Sequence, residues 1–296
     1  MGELIRRSLR AVPFLVPLFK AAVSWSVGRA SSHGAAISFY ALFSLAPMLV
    51  IIIAIAGSFY DRSYAESLVF EQLKAFVGEN GAKQIEEMLA QAAQPRANRM
   101  ATMIGIGVLV FASTSMLTEV RETLNQIFRA VPRHKPIINY LVSRGLSLAL
   151  VLALSLLLLL TLLLAATLDA FGAYLPRIGI LIGVEEGLET LNVILSFGIT
   201  TVLFTLVYAI LPDQIPKLRH LFGGAIVASL LFAVGKFGIS LYLATTGVAT
   251  AFGAAGAVVA LLIWVYWSAQ IFLFGAEFAF ALGEFTAKRD AADKSG

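Results

Sequence analysis

From Phe222 to Leu282 the sequence carries two long apolar runs joined by a small-residue linker, and only two charged side chains, Lys236 and Glu277, interrupt it. At 1.5 Å rise per residue, about 20 apolar residues cross roughly 30 Å of hydrocarbon. Each run meets that requirement. A charge inside such a run is costly, so Lys236 and Glu277 each require a physical account. The remainder of the chain is built alike: 296 residues, 59% hydrophobic and 14% charged, with mean hydropathy +0.85. A soluble domain is about half apolar and a quarter charged. The fold class is therefore all-α, a polytopic membrane protein.

Composition also excludes chemistry. No cysteine is present, which removes disulfides, thiolate zinc sites and cysteine nucleophiles. The formal charge of +4 and pI near 9.4 do not point to nucleic acid, because a membrane chain concentrates Lys and Arg in its cytoplasmic loops. His33, His134 and His220 are far apart in sequence and suggest no metal site. No nucleophile elbow or phosphate-cradling Gly-rich loop occurs. These readings predict no enzyme, no cofactor and no metal.

Taken in order, residues 1–34 form a basic segment with Arg6, Arg7, Arg10, Lys20 and Arg29. Its apolar residues Phe14, Leu15, Leu18, Phe19 and Ala22 have helical spacing, which predicts an interfacial amphipathic helix on an anionic leaflet. Pro13, Pro17 and Lys20 break the pattern of a signal peptide. Trp25 reads as an interface anchor. Six spans are predicted at about 35–59, 100–118, 145–167, 191–211, 221–243 and 257–282. The first contains Pro47, a candidate hinge, because it cannot donate to the carbonyl of Phe43. Residues 60–99 are too polar to span and read as an outward amphipathic segment. The second helix is predicted to run on to Phe128, with the face Ser115, Thr118, Glu122 and Asn125 turned inward. Pro212 and Pro216 punctuate a short turn, and 283–296 reads as a frayed polar tail.

Six spans put both termini on one side. The segments on that side hold five Lys plus Arg in 1–34, five in 119–144, two in 212–220 and three in the tail. The opposite segments hold five in 60–99, one in 168–190 and none in 244–256. The positive-inside rule places both termini in the cytoplasm.

Three stretches carry a family resemblance. They are Gly34–Pro47 (GAAISFYALFSLAP), Leu117–Phe128 (LTEVRETLNQIF), and Tyr208–Pro212 (YAILP) followed by Gly223–Ala279 with GKFGISLYL and LLIWVYWSAQIFLFGAEFA. Over roughly Gly34 to Ala279 the chain resembles the YihY/BrkB family of bacterial inner-membrane proteins, once labelled ribonuclease BN. Phe252-Gly253 departs from the Tyr-Gly pair common in that family. The resemblance implies a six-span cytoplasmic-membrane protein tied to envelope integrity and supplies no agreed activity.

The two intramembrane charges lie at different depths. Lys236 sits roughly 22 Å from the cytoplasmic edge and Glu277 only about 7 Å from it, which argues against a direct pair. Lys236 either snorkels to outer-leaflet phosphates or faces a cavity with Ser240, Tyr266 and Gln270 that could hold an anionic lipid headgroup. Glu277 prefers a cation at the rim, and Arg121, Arg144, Arg6 and Arg7 are the candidates, beside Glu122 and Asn125. Without one, desolvation would raise its pKa and suit it to proton transfer. Glycines in the fifth span, Gly223 and Gly224 with Ala228, permit close helix packing.

The functional expectation is an inner-membrane transporter or lipid-handling protein whose partners are membrane lipids. The alternative is a scaffold that docks envelope proteins through 60–99. A ribonuclease is the remote third reading.

Overall fold

The computed structural model describes residues 15–58, 115–130, 184–214, 216–246 and 256–295, parts of 61–71, and positions 86 and 167. The predicted spans 100–118 and 145–167 therefore lie almost wholly outside the described residues, as do Arg6, Arg7 and Arg144. The described residues form helices and no strand. In order these are α1 (Leu15–Val27), α2 (Ala30–Ala56), α3 (115–127), α4 (Val184–Ile210), α5 (Leu218–Thr246) and α6 (Gly256–Ser295).

Local chemistry sets the breaks. Gly28 and Arg29 separate α1 from α2, and Arg29 takes a left-handed backbone with φ 58°. The Gly28 amide closes α1 on the Ser24 carbonyl at 2.7 Å, and the Arg29 carbonyl accepts from Ser32 at 2.9 Å to open α2. α3 ends in the same manner, with Arg129 at φ 50° and the Ala130 amide returning to the Asn125 carbonyl at 2.8 Å. Such a left-handed residue after a helix satisfies the last free carbonyls. Pro212 and Pro216 bracket the α4–α5 turn, since neither can continue a helix. α2 passes through Pro47 without interruption.

Among the described residues, three helices contain segments long and apolar enough to cross a membrane: Val193–Ile210, Leu218–Ile239 and Val258–Ala291. They overlap the stretches expected at 191–211, 221–243 and 257–282, with the third extending further. Their outward faces are apolar, with Phe237 77% and Val234 67% exposed. A water-facing protein rarely displays so many adjoining large apolar side chains, and hydrocarbon solvates them without cost.

α6 is the central post. It packs against α5, α2 and α1, while α4 packs against α5. The α5–α6 contact is closest at Gly224 and Gly275. A methyl group at Gly224 would overlap the Gly275 carbonyl and come within 2.6 Å of the Ala279 Cβ. Small residues at this crossing bring the two backbones together, which maximises dispersion contact where no hydrophobic drive exists between helices in lipid. Tyr208 of α4 reaches across this seam, fully buried, and its hydroxyl donates to the Phe272 carbonyl at 2.6 Å.

Several expectations change. The stretch after Gly283 is not frayed: α6 continues to Ser295, and its first turn past Gly283 is tied to neighbours. Lys20 of α1 pairs with Glu284, and Thr286 meets the His220 ring at 3.0 Å. α1 does not lie alone on a leaflet. Ala21 and Leu18 pack against Phe278 and Ala281 of α6, while Phe19, Val23 and Val27 stay exposed. In α3 the inward face is Leu117, Val120, Arg121, Leu124 and Phe128, and Glu122 is exposed. The predicted polar inward face is thus rotated, because four apolar side chains outweigh it in the core. Trp264 packs edge-on to Phe232 at 6.2 Å, whereas Trp267 is 54% exposed. Trp25 packs against the core rather than serving as a free anchor.

Candidate functional site

Among the described residues, one end of the bundle gathers the Lys and Arg residues other than Lys236. The α1–α2 junction, the C-terminal ends of α3 and α4, the start of α5 and the last third of α6 meet there. The described parts of four segments that the charge count assigns to one side, 1–34, 119–144, 212–220 and the C-terminal tail, are joined at this end by specific bonds.

The first set of bonds is a clamp between α3 and the α4–α5 turn. Arg121 donates to one oxygen of Asp213 at 2.5 Å, and Asn125 donates to the other at 2.8 Å. The Asp213 amide returns a bond to the Asn125 side-chain carbonyl at 2.8 Å. Both ionised side chains are only 10% exposed. Each charge is paired and hydrogen-bonded, which is the condition under which buried charge is tolerated. Arg121 and Asn125 were anticipated at this rim, but as company for Glu277. Asp213 was missed, although it is the single carboxylate in a turn otherwise basic with Lys217, Arg219 and His220. Only that local contrast could have marked it.

The second feature is a half-open cavity of about 450 Å³ lined by α1, α2, α3 and α6. Its apolar walls come from Val23, Val27, Leu273 and Phe280. Its polar lining comes from Glu277, Arg129 and His33, with Thr123 and Gln126 on α3. The space exists because α1 and α2 break at Gly28. The Glu277 carboxylate lies against this position, and a methyl group added to Gly28 would stand 3.6 Å from its Oε1. His33 is held by Glu119 at 3.1 Å. Arg129 stacks on the Phe280 ring at 5.2 Å and lies 3.9 Å from Glu284. Neither His33 nor Arg129 stood out in the sequence, since nothing local indicates that 33, 129 and 277 converge.

The remaining anticipated residues do not form one site. Lys236 is exposed on α5, with its amine 5.8 Å from the Phe232 ring. It borders a crevice of about 10 Å³ with Trp264, Trp267, Ser268 and Ile271. That volume holds no more than one water, far less than a headgroup. Gln270 is buried on another face of α6, toward α2, where it donates to the Ala30 carbonyl at 3.1 Å. Tyr266 faces α2 near Gly34 as well. The side chains of Ser240 and Pro47 lie outside the described residues. Among the described residues, no group of three or more His, Cys, Asp or Glu could hold a metal ion.

A helical bundle that is apolar outside and charged at one end defines a multi-helix membrane protein. Within that class the chain belongs to the BrkB family: the family model described as Virulence factor BrkB matches residues 23–296. Curated relatives are named UPF0761 membrane protein. One from Alteromonas mediterranea is 28% identical over 254 residues, covering 84% of this chain and 81% of the relative. One from Aeromonas salmonicida is 26% identical over 255 residues, covering 84% and 82%. One from Alkalilimnicola ehrlichii is 28% identical over 267 residues, covering 89% of this chain but 57% of that longer protein. No solved structure matches the chain.

Proposed function

We propose that this protein handles lipid in the bacterial cytoplasmic membrane, admitting the headgroup of an amphiphile into the cavity beside Glu277. In this reading six helices cross the membrane, both termini are cytoplasmic, and the cavity opens at the cytoplasmic end. The observation that carries the reading is the cavity itself: about 450 Å³, walled by apolar side chains and lined by ionisable ones. A headgroup needs the polar lining, and its acyl chains need a continuous apolar exit. The exposed apolar residues of α1, Phe19, Val23 and Val27, supply such a surface next to the cavity. The clustering of Arg129, Lys217, Arg219, Lys288 and Arg289 near this end of the bundle supports its cytoplasmic placement. The headgroup position moves from Lys236, where the crevice is too small, to Glu277.

The test is reconstitution of the full chain into vesicles carrying fluorescent phospholipid, with transbilayer movement followed by quenching of the exposed leaflet. Purified protein is expected to retain lipid detectable by native mass spectrometry and to speed lipid movement. Retention of no lipid, with movement equal to that of empty vesicles, would remove this reading and leave a scaffold that engages envelope partners.

A further inference from the structure

Glu277 and Arg129 bring opposite charges to one cavity, near enough to attract each other but not paired in a salt bridge. The other charges around it are already engaged. His33 is taken by Glu119. Glu284 is shared between Lys20 and Arg129. Glu277 is left half-buried, and among the described residues no cation stands within the 4.0 Å that defines an ion pair. A carboxylate partly removed from water gains most from a cation that also donates hydrogen bonds. Across the cavity, Arg129 projects from the end of α3 with its side chain 74% exposed, and a guanidinium is matched to phosphate oxygens.

We infer that the cavity takes a zwitterionic phosphate–primary ammonium headgroup, with the ammonium on Glu277 and the phosphate on Arg129. This rests on the lipid-handling reading and specifies its ligand. A primary ammonium carries three N–H donors for the carboxylate and its neighbours. A quaternary ammonium carries none. An anionic headgroup without an amine leaves Glu277 unanswered and adds a second negative charge beside it. The volume is right for a headgroup alone: 450 Å³ equals roughly fifteen waters at about 30 Å³ each. The acyl chains stay outside.

The test is native mass spectrometry of the full-length protein with equal amounts of phosphatidylethanolamine, phosphatidylcholine and phosphatidylglycerol, with soluble phosphoethanolamine as competitor. Phosphatidylethanolamine should bind about tenfold more tightly than the other two, the worth of one charge-assisted hydrogen bond. Glu277→Gln should bring the three lipids to parity, and Glu277→Asp should restore part of the preference. Arg129→Gln should weaken all three. Competition by phosphoethanolamine would confirm the headgroup chemistry and, if no lipid binds, assign the site to the free solute instead. If lipids bind without preference, or if Glu277→Gln keeps the preference, the inference fails while the lipid-handling reading stands. If neither lipid nor phosphoethanolamine binds, both fail. Unchanged melting of Glu277→Gln guards against misfolding, and Glu277→Asp supplies the second variant if it does not fold.

Discussion

Removing Asp213 should destabilise the bundle more than any other single carboxylate change at this end. Its side chain is 10% exposed and holds Arg121, also 10% exposed, at 2.5 Å. Asp213→Ala leaves a buried guanidinium without a counter-charge, at a cost of about 3–5 kcal/mol. It also leaves the Asn125 amide without its acceptor, adding about 1 kcal/mol. Asp213→Asn keeps a carbonyl for Asn125 but removes the charge, so its cost should be about 2 kcal/mol. The informative variant is the double change Arg121→Met with Asp213→Asn. It removes both charges and retains the amide–amide exchange with Asn125, so it should lie within about 1 kcal/mol of the parent.

The assay is unfolding in mixed micelles with increasing dodecyl sulfate, followed by circular dichroism, on the four members of the Arg121/Asp213 cycle. The coupling energy should be about 1.5–3 kcal/mol in favour of the pair. A coupling below about 0.5 kcal/mol would refute the reasoning. So would a double variant no more stable than Asp213→Ala. In either case the clamp would be a surface bridge whose solvent screening has been underestimated.

Three further outcomes test the packing. Gly224→Ala should lose about 2 kcal/mol or more, because its methyl group meets backbone at Gly275, whereas Gly198→Ala meets nothing within 4 Å and should be neutral or gain up to about 1 kcal/mol; melting curves in one detergent compare them. Tyr208→Phe removes the hydroxyl bond to Phe272 and should cost about 0.5–1.5 kcal/mol in the same assay, with no loss of assembled protein by size exclusion. Arg29→Gly should raise stability by about 1 kcal/mol by relieving the left-handed backbone at φ 58°; a fall in melting temperature would show that the Arg29 charge contributes more than its backbone costs.

Hydropathy and punctuation made much of the scaffold legible. The runs at 191–211, 221–243 and 257–282 and the prolines at 212 and 216 locate α4, α5, α6 and their turn, because span length and helix breaking are local properties. Other features depend on partners remote in sequence. Asp213 bonds Asn125 across 88 positions, and no local pattern reveals that. The charged stretch after Gly283 looks frayed alone, yet it is helical, and Lys20, Arg129 and His220 hold its first turn. Lys236 drew attention as a lone charge in an apolar run. Depth along a helix was computable for it, but the facing direction was not, and α5 turns it outward. Glu277 was legible as a problem and not as a site, since its surroundings are assembled by α1, α2 and α3.

The length of α6 has a mechanical consequence. Its 40 residues form a rod of about 60 Å, gripped most tightly where Gly275 meets Gly224. Were α6 to pivot, that crossing would be the fulcrum. A tilt of about 5° around Gly275 barely displaces Glu277, two residues away, but carries Arg289, roughly 21 Å along, by about 2 Å. Glu284, tethered to Lys20 and Arg129, travels about 1 Å on the same geometry. In such a tilt the carboxylate would stay near the fulcrum while Glu284 pulled on the walls of α1 and α3 through Lys20 and Arg129.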